Sequence, residues 1–190
     1  MEKTIVSLIG KMEGGSIMEQ LLLKRAATGD KEAYAELVRL HYKTVEKFSF
    51  QCGVHSNDIQ DVTQEVFIKL YRFLAQFEQG KFTTWLYKMT LNTVRDYYRK
   101  EQREKRKRDK LQYESSSIVH MTTDDIALHE AILTLDEKYR MPIVLYYFHD
   151  CKYEEIAEIL TISLSTVKVR LMRAKEQLKA ILQQGGESNG

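Results

Sequence analysis

The sequence predicts an all-α fold of two small helical domains joined by a flexible linker, the second domain containing a helix-turn-helix. Its 190 residues include one proline and nine glycines, which are few helix breakers for this length. Apolar residues recur at helical spacing, and no strand pattern or internal repeat stands out. A stretch without periodicity, containing three consecutive serines, separates the halves. We therefore assign a leader to residues 1–17, domains to 18–110 and 126–184, the linker to 111–125 and a fraying tail to 185–190.

Positive charge is concentrated in two segments, although the net charge of the chain is only +2. Residues 95–110 hold nine Lys and Arg against four Asp and Glu, and residues 165–179 hold five against one. Residues 54–66 show the opposite bias, with three acids and no base. Local asymmetry of this kind is typical of DNA-binding proteins and of protein-docking faces.

The sequence offers no catalytic or metal-binding pattern. Cys52 and Cys151 lack metal-ligand spacing, and the five histidines are scattered. No segment approaches the ~18 apolar residues of a membrane span, and no signal peptide is recognisable. We therefore expect a cytoplasmic protein that is not an enzyme and that needs no metal or cofactor.

Four helices are predicted in the first domain. The first spans about 18–28 and the second 31–51, with Gly29-Asp30 as the stop and the next cap. Ser56-Asn57-Asp58 forms a cap cluster for the third. The apolar positions of the second helix are Ala33, Leu37, Leu40, Tyr42, Val45, Phe48 and Ser49, and those of the third are Ile59, Val62, Val66, Leu70, Phe73 and Phe77. Gln79-Gly80 gives a turn before the fourth helix, which starts near Thr83 and continues into the charged segment 101–110.

The fourth helix has two different faces. At about 100° per residue, one face carries Lys88, Asn92, Arg95 and Arg99, with Trp85 and Asp96 beside it. The opposite face carries Leu86, Thr90, Thr93, Val94 and Tyr97. The polar face suits a phosphate backbone with unstacked bases. A core tryptophan beside a solvated basic face explains the same pattern, so the helix alone leaves both interpretations open.

The second domain is predicted to contain helices at 126–133, 136–150, 153–160 and 165–183, with Pro142 in the first turn of the second of these. Ile156, Ala157 and Leu160 form the inner face of the short third helix. Ser165 can cap the fourth, whose buried stripe is Val167, Leu171, Ala174, Leu178 and Leu182. Lys168, Val169, Met172, Arg173 and Lys175 then point outward, which fits a major groove. A plain helical hairpin with a basic surface is the alternative.

Two sets of motifs resemble the extracytoplasmic-function group of bacterial sigma factors, over roughly residues 18–182 with a gap at the linker. The first set is Asp61-Val-Thr-Gln-Glu-Val-Phe67 and Phe82-Thr-Thr-Trp-Leu86, continued by Asn92, Asp96 and Arg99. The second set comprises Leu135, Tyr139-Arg140, Tyr153-Glu-Glu-Ile-Ala157, Ser165-Thr-Val-Lys168, Arg170-Leu171 and Arg173-Ala174. Each motif alone is a weak indicator of the family, but the two sets in this order and at this spacing are highly specific for it. Cys151 falls at an apolar position of the family pattern, so we expect it in the core.

The resemblance implies a factor that binds core RNA polymerase and directs promoter recognition, melting and initiation. The polymerase face would be Asp61, Gln64 and Glu65, docked on the clamp, with contacts to the flap as well. The minus-10 element would be bound by Glu78, Gln79, Gly80, Lys81, Trp85, Lys88, Asn92, Arg95, Arg99 and Lys100. The minus-35 element would be read by Ser165, Thr166, Lys168, Val169, Arg170, Met172, Arg173 and Lys175. An anti-sigma factor is the implied regulator.

Two other functions remain open at this point. A helix-turn-helix regulator would bind a palindromic site without polymerase, because two-fold protein symmetry demands a symmetric site. An adaptor would use its helical faces for protein binding only. The asymmetric two-part architecture and the aromatic-basic fourth helix disfavour the first alternative. For the second, reversing the charges of Lys168 and Arg173 would not be expected to remove DNA-dependent behaviour.

Overall fold

The computed structural model describes residues 17–77, 80–108 and 123–187, and every regular element in these ranges is helical. The first domain contains α1 (Ile17–Ala27), α2 (Lys31–Gln51), α3 (Ile59–Phe73), a 3₁₀ turn (Leu74–Gln76) and α4 (Phe82–Arg108). The second contains α5 (Thr123–Thr134), α6 (Glu137–Phe148), α7 (Tyr153–Leu160) and α8 (Leu164–Glu187). The predicted helices and their order are confirmed. Most of the leader and of the linker lies outside the described residues.

The α1–α2 hairpin forms where the sequence predicts it. Gly29 adopts a left-handed φ of 93° between the two helices, a conformation that favours glycine. Asp30 then caps α2, its carboxylate accepting hydrogen bonds from the backbone N–H groups of Glu32 and Ala33, both at 3.0 Å. Arg25 bonds the same carboxylate at 2.7 Å, so the hairpin is fixed by its own turn.

Helix α3 differs from its prediction at both ends. Asp58 makes no capping hydrogen bond; its carboxylate instead accepts one from the Tyr97 hydroxyl of α4 at 2.8 Å. The α-helix ends at Phe73 because the chain tightens into the 3₁₀ turn, which leaves Phe73 43% exposed rather than in the core. Leu40 on α2, also assigned to an apolar stripe, is 53% exposed. Helical periodicity shows which face of a helix is apolar, but not whether another element covers each position on it. Phe73 is exposed where the helix changes pitch, and Leu40 is exposed because no element in the described ranges covers it.

The second domain departs from the prediction at its helix ends. Helix α5 begins at Thr123, inside the segment assigned to the linker, and α8 runs to Glu187, inside the segment assigned to the tail. Pro142 is the sixth residue of α6 and not in its first turn. Its missing N–H deprives the Lys138 carbonyl of a helical donor, and because Lys138 is exposed, water can replace that donor.

Two apolar clusters hold the molecule together. One lies within the first domain and joins α1, α2, α3 and α4 around Leu37, Val66 and Leu70, all fully buried. The other crosses between the domains. It packs Phe48, Val62 and Leu91 of the first domain with residues of the second such as Met141 and Ile156. The two domains are therefore in direct contact in this structure.

Candidate nucleic-acid interface

The two predicted faces of α4 are confirmed. Leu86, Thr90, Thr93 and Val94 are buried, whereas Asn92 and Arg99 are exposed and Lys88 and Arg95 are half-buried. The buried threonines donate their hydroxyl hydrogens to backbone carbonyls one turn earlier, Thr90 to Leu86 at 2.8 Å and Thr93 to Met89 at 2.9 Å. Because both hydroxyl groups are hydrogen-bonded, the two threonines can be buried among apolar side chains. The charged residues named above all lie on the outer face.

A cavity of about 340 Å³ opens on the outer face of α4, against α3. Its lining combines two ammonium groups, an amide and aromatic or thioether side chains, from Lys69, Phe73, Trp85, Lys88, Met89, Asn92 and Thr93. Aromatic walls beside positive charge are what single-stranded nucleic acid binds, through stacking and phosphate contacts. Lys69 and Phe73 were absent from the predicted site. No sequence signal identifies either residue, because both belong to α3 and the apolar pattern assigns Phe73 to the core.

Trp85 packs against aromatic side chains on both sides of the loop 78–81, whose residues the resemblance assigns to minus-10 binding. Its indole lies 5.3 Å from the Phe77 ring before the loop and 6.1 Å from the Phe82 ring after it, measured between centroids. Phe77 and Phe82 also meet edge to face at 5.7 Å. Trp85 is half-buried and lines the cavity, so part of its ring packs inward and part faces the cavity. Of the predicted loop residues, Glu78 and Gln79 lie outside the described ranges, whereas Gly80 and Lys81 are exposed.

Several cations of this face are already paired. Asp96 bonds both Lys69, at 3.0 Å, and Arg99. The Lys69 hydrogen bond is the main reason why the pKa of Asp96 lies below its usual value. Arg95 pairs with Glu137 at 2.7 Å and Lys81 with Glu155 at 2.8 Å, and both of these acids belong to the second domain. Lys88 and Lys100 take part in none of the ion pairs between described residues, so they are the most available to an incoming phosphate.

Helices α7 and α8 form the predicted helix-turn-helix. Thr161 ends α7 in the left-handed region, with φ of 55°. Ser163, not Ser165, caps α8. Its hydroxyl oxygen accepts the Thr166 N–H at 3.1 Å, and its carbonyl accepts the Val167 N–H at 3.0 Å. The helix begins at Leu164, one residue earlier than predicted, so Ser165 is its second residue and its hydroxyl lies 2.9 Å from that of Ser163.

The outward face of α8 is confirmed residue by residue. Val167, Leu171 and Ala174 are buried, and the exposed set is Ser165, Lys168, Val169, Met172, Arg173 and Lys175. Lys175 also lies 5.5 Å from the Tyr147 ring centroid, and hydrogen bonding to Tyr147 raises its pKa. The buried stripe ends earlier than predicted, since Leu178 is half-buried and Leu182 is 42% exposed. The other two residues of the predicted minus-35 site, Thr166 and Arg170, are half-buried. Arg170 lines a cavity of about 250 Å³ together with Arg95 and Glu137.

The acidic face of α3 points away from the apolar core and into solvent. Asp61, Gln64 and Glu65 are exposed, and Val62, Thr63 and Val66 on the other side are buried. Tyr71, 51% exposed, extends this surface by about two turns. The face therefore offers acids that can complement a basic surface of a partner protein, and Tyr71 offers an aromatic group of the kind enriched at protein interfaces.

Comparison with known proteins connects these surfaces to one family. The Sigma-70 region 2 family model matches residues 37–104 and the Sigma-70, region 4 model matches residues 125–178. The ECF RNA polymerase sigma factor SigE of Mycolicibacterium smegmatis is 30% identical over 82% of this chain, which spans 65% of that relative's length. The ECF RNA polymerase sigma-E factor of Haemophilus influenzae is 31% identical over 88% of this chain and 96% of its own length.

The chain belongs to the ECF sigma factors of RNA polymerase. The fold of this sigma factor also resembles the structure of CnrH in complex with the cytosolic domain of CnrY. That likeness has a TM-score of 0.70 and 25% identity, covering 88% of this chain and 98% of CnrH. Region 2 includes the face of α4, and region 4 includes the helix-turn-helix. The factor therefore directs promoter choice with polymerase and is not an independent helix-turn-helix regulator.

The sigma factor carries two buried thiols. Burial raises the pKa of Cys52 and of Cys151 to about 12. Both lie in the apolar cluster between the domains, Cys52 against Met141 with 3.6 Å between the sulfur atoms. The core position expected for Cys151 is confirmed, and Cys52 lacks the thiolate character that redox-sensing cysteines need. Within the described residues no helix is long and apolar enough to cross a membrane.

Proposed function

We propose that this sigma factor divides promoter binding among three surfaces: the acidic face of α3 for core polymerase, the cavity face of α4 for the melted minus-10 strand, and the outward face of α8 for the minus-35 duplex. The observation that carries the proposal is the pairing of two unlike DNA-binding geometries on one chain. A basic helix braced by a second helix suits a groove, and an aromatic cavity beside lysines suits a single strand.

The cavity gives the minus-10 assignment a physical mechanism. A base that leaves the duplex loses a few kcal/mol of stacking and pairing, which a pocket must offset. The rings of Trp85 and Phe73 can stack on a base, the Asn92 amide can hydrogen-bond its edge, and Lys88 can bind the adjoining phosphate. The loop 78–81, Arg95, Arg99 and Lys100 would follow the strand on either side.

The minus-35 assignment rests on side-chain chemistry along α8. Lys168 and Arg173 can donate to guanine O6 and N7, and Val169 and Met172 can contact thymine methyl groups. Ser165 and Thr166 lie at the helix N-terminus, where backbone N–H groups favour phosphate. Arg170 is half-buried and Lys175 is engaged by Tyr147, so we assign these two to the phosphate backbone rather than to base edges.

Core polymerase would bind Asp61, Gln64 and Glu65 through its clamp, with the flap contacting the second domain. The factor would act in the cytoplasm and without catalysing a reaction, since positioning and strand capture need no covalent step. A protein partner on this fold is known for CnrH, which is bound by the cytosolic domain of CnrY. An anti-sigma factor is accordingly proposed as the regulator.

The test uses core polymerase reconstituted with the full chain on a promoter that it transcribes. Arg173→Ala should weaken binding to a duplex carrying the upstream element and leave binding to the single-stranded minus-10 element unchanged. Lys88→Ala/Asn92→Ala should do the reverse. Glu65→Ala should weaken core binding before DNA is added. If Arg173→Ala leaves the dependence on the upstream element intact, the groove assignment is wrong; if core affinity is unchanged by Glu65→Ala, the polymerase face is wrong.

A further inference from the structure

A buried pair of polar side chains joins α1 to α2 inside the first domain. Glu19 of α1 and His41 of α2 are 9% and 8% exposed, and Oε1 of Glu19 lies 2.7 Å from Nε2 of His41. Nε2 has no well-aligned hydrogen-bond partner among the described residues, so this close contact is electrostatic rather than directional. A buried carboxylate costs free energy, and apolar side chains of similar volume would join the helices at least as well. The pair therefore indicates a role beyond packing.

His41 connects this pair to the start of α4. Its ring meets the ring of Phe82 edge to face, with the centroids 5.1 Å apart. Phe82 is the first residue of α4 and is 1% exposed. The Phe82 ring in turn lies 6.1 Å from Trp85, which lines the cavity. A continuous series of contacts therefore runs from Glu19 through His41 and Phe82 to Trp85.

Helix α1 also contacts the chain near the second aromatic neighbour of Trp85. It packs against the 3₁₀ turn Leu74–Gln76, and the N–H of the next residue, Phe77, donates to the Leu74 carbonyl at 3.0 Å. The Phe77 ring lies 5.3 Å from that of Trp85. Both rings that pack on Trp85 are thus supported from the side of α1. This helix precedes residues 37–104, which the Sigma-70 region 2 model matches.

We propose that α1 is a positioning element of the minus-10 site, in which Glu19 orients the His41 ring against Phe82 and so fixes Trp85 at the cavity. The inference rests on the proposed function of the α4 face, and it adds two positioning residues that do not touch DNA. A ring that is already fixed loses little freedom when a base stacks on it, so more of the stacking energy contributes to affinity. Without the Glu19 carboxylate the His41 ring can turn, and Phe82 and Trp85 lose a fixed neighbour.

The experiment uses Trp85 as a probe, because it is the only tryptophan of the chain. Glu19→Gln removes the carboxylate and keeps the side-chain volume. Glu32→Gln makes the same change at an exposed position of α2, and Ala33→Gly weakens α2 at a buried position about 12 Å along the helix from His41. Trp85 emission and its quenching by acrylamide are measured on the full chain. Affinity for a fluorescent single-stranded minus-10 oligonucleotide is measured by anisotropy with core polymerase.

We expect Glu19→Gln to shift Trp85 emission to longer wavelength and to increase its quenching. Its affinity for the minus-10 strand should fall about fivefold, in the range for residues that act on a site through packed neighbours. Binding to a duplex carrying the upstream element should not change, because α8 of the other domain binds it. Glu32→Gln and Ala33→Gly should match wild type in all of these measurements.

Glu19→Leu/His41→Phe provides the rescue, since a phenyl ring can keep the contact with Phe82 while no buried carboxylate remains. It should recover the wild-type emission and affinity. Unchanged emission in Glu19→Gln, an equal loss of affinity in Ala33→Gly, or a double variant that is as stable as wild type but binds the strand weakly would overturn the proposal. If Lys88→Ala/Asn92→Ala binds the strand as tightly as wild type, the proposed function of the α4 face fails, whereas Trp85 emission still decides whether Glu19 positions this ring.

Discussion

Acidification should open the interface between the domains, where His149 of the second domain packs between Phe48 and Tyr87 of the first, with ring centroids 5.1 and 4.9 Å away. Burial is the main reason why the pKa of His149 falls to about 4, with the charge of Lys47 acting in the same direction. The ordinary value is 6.5. When the two domains separate, His149 is exposed and binds a proton below pH 6.5, whereas in the packed (closed) arrangement burial keeps it neutral. The closed arrangement is therefore most stable above pH 6.5 and loses stability as the pH falls towards 4. Between pH 7.5 and 5.0 the change is roughly 30-fold, or about 2 kcal/mol.

X-ray scattering at constant ionic strength measures this opening directly. The radius of gyration should rise between pH 7.5 and 5.0, and His149→Gln should flatten most of the profile because glutamine does not titrate. A shallower slope should remain from His129, whose pKa burial also lowers. Glu155 stays ionised in this range, since its pKa is below the usual value. A radius independent of pH, or the same profile in His149→Gln, would refute the assignment of His149 to the closure.

Three further predictions concern single positions. Gly53→Ala should lower the free energy of unfolding in urea by more than Gly29→Ala does. Both glycines have a positive φ. Of the two, only Gly53 lacks room for a Cβ, which would lie 2.9 Å from the Tyr98 hydroxyl and 3.3 Å from Leu133. We expect about 1–2 kcal/mol for the shared backbone strain and a further ~1–3 kcal/mol for the close approach; equal losses would contradict it. Phe48→Ala, at a fully buried position, should cost about 3–5 kcal/mol in the same assay, and a loss below about 1 kcal/mol would argue against the shared cluster. Lys88→Ala should reduce the slope of log affinity against log salt by about 0.7 for single-stranded minus-10 DNA, and an unchanged slope would remove Lys88 from the strand path.

Local signals predicted the helices well. The bounds of α2 and α7 match their predictions, because Gly29, Asp30 and the apolar spacing act within a few residues of each helix. The outward face of α8 follows from periodicity alone, and so does the inner face of α4. The errors are also local: Ser163 rather than Ser165 provides the cap, and Phe73 leaves the core where the helix tightens into a 3₁₀ turn.

Contacts between distant segments were not predictable in this way. The cavity needs Lys69 and Phe73 of α3 beside Trp85 of α4, and no pattern along either helix shows that they meet. Arg95 and Glu137 are 42 positions apart in sequence, and Lys81 and Glu155 are 74 apart. Periodicity places Arg95 on the polar face of α4, and the turn signal places Lys81 just before that helix. What the sequence could not show is that an acid of the other domain already pairs with each of these cations.

Transcription from a library of genomic fragments by core polymerase, with and without this sigma factor, tests its central role most directly. We predict transcripts that depend on the added factor, start downstream of a shared pair of upstream elements, and lose their dependence on the distal element in Arg173→Ala. A factor that binds core polymerase but starts no transcript on any fragment, or that starts transcripts lacking a shared upstream sequence, would contradict the account.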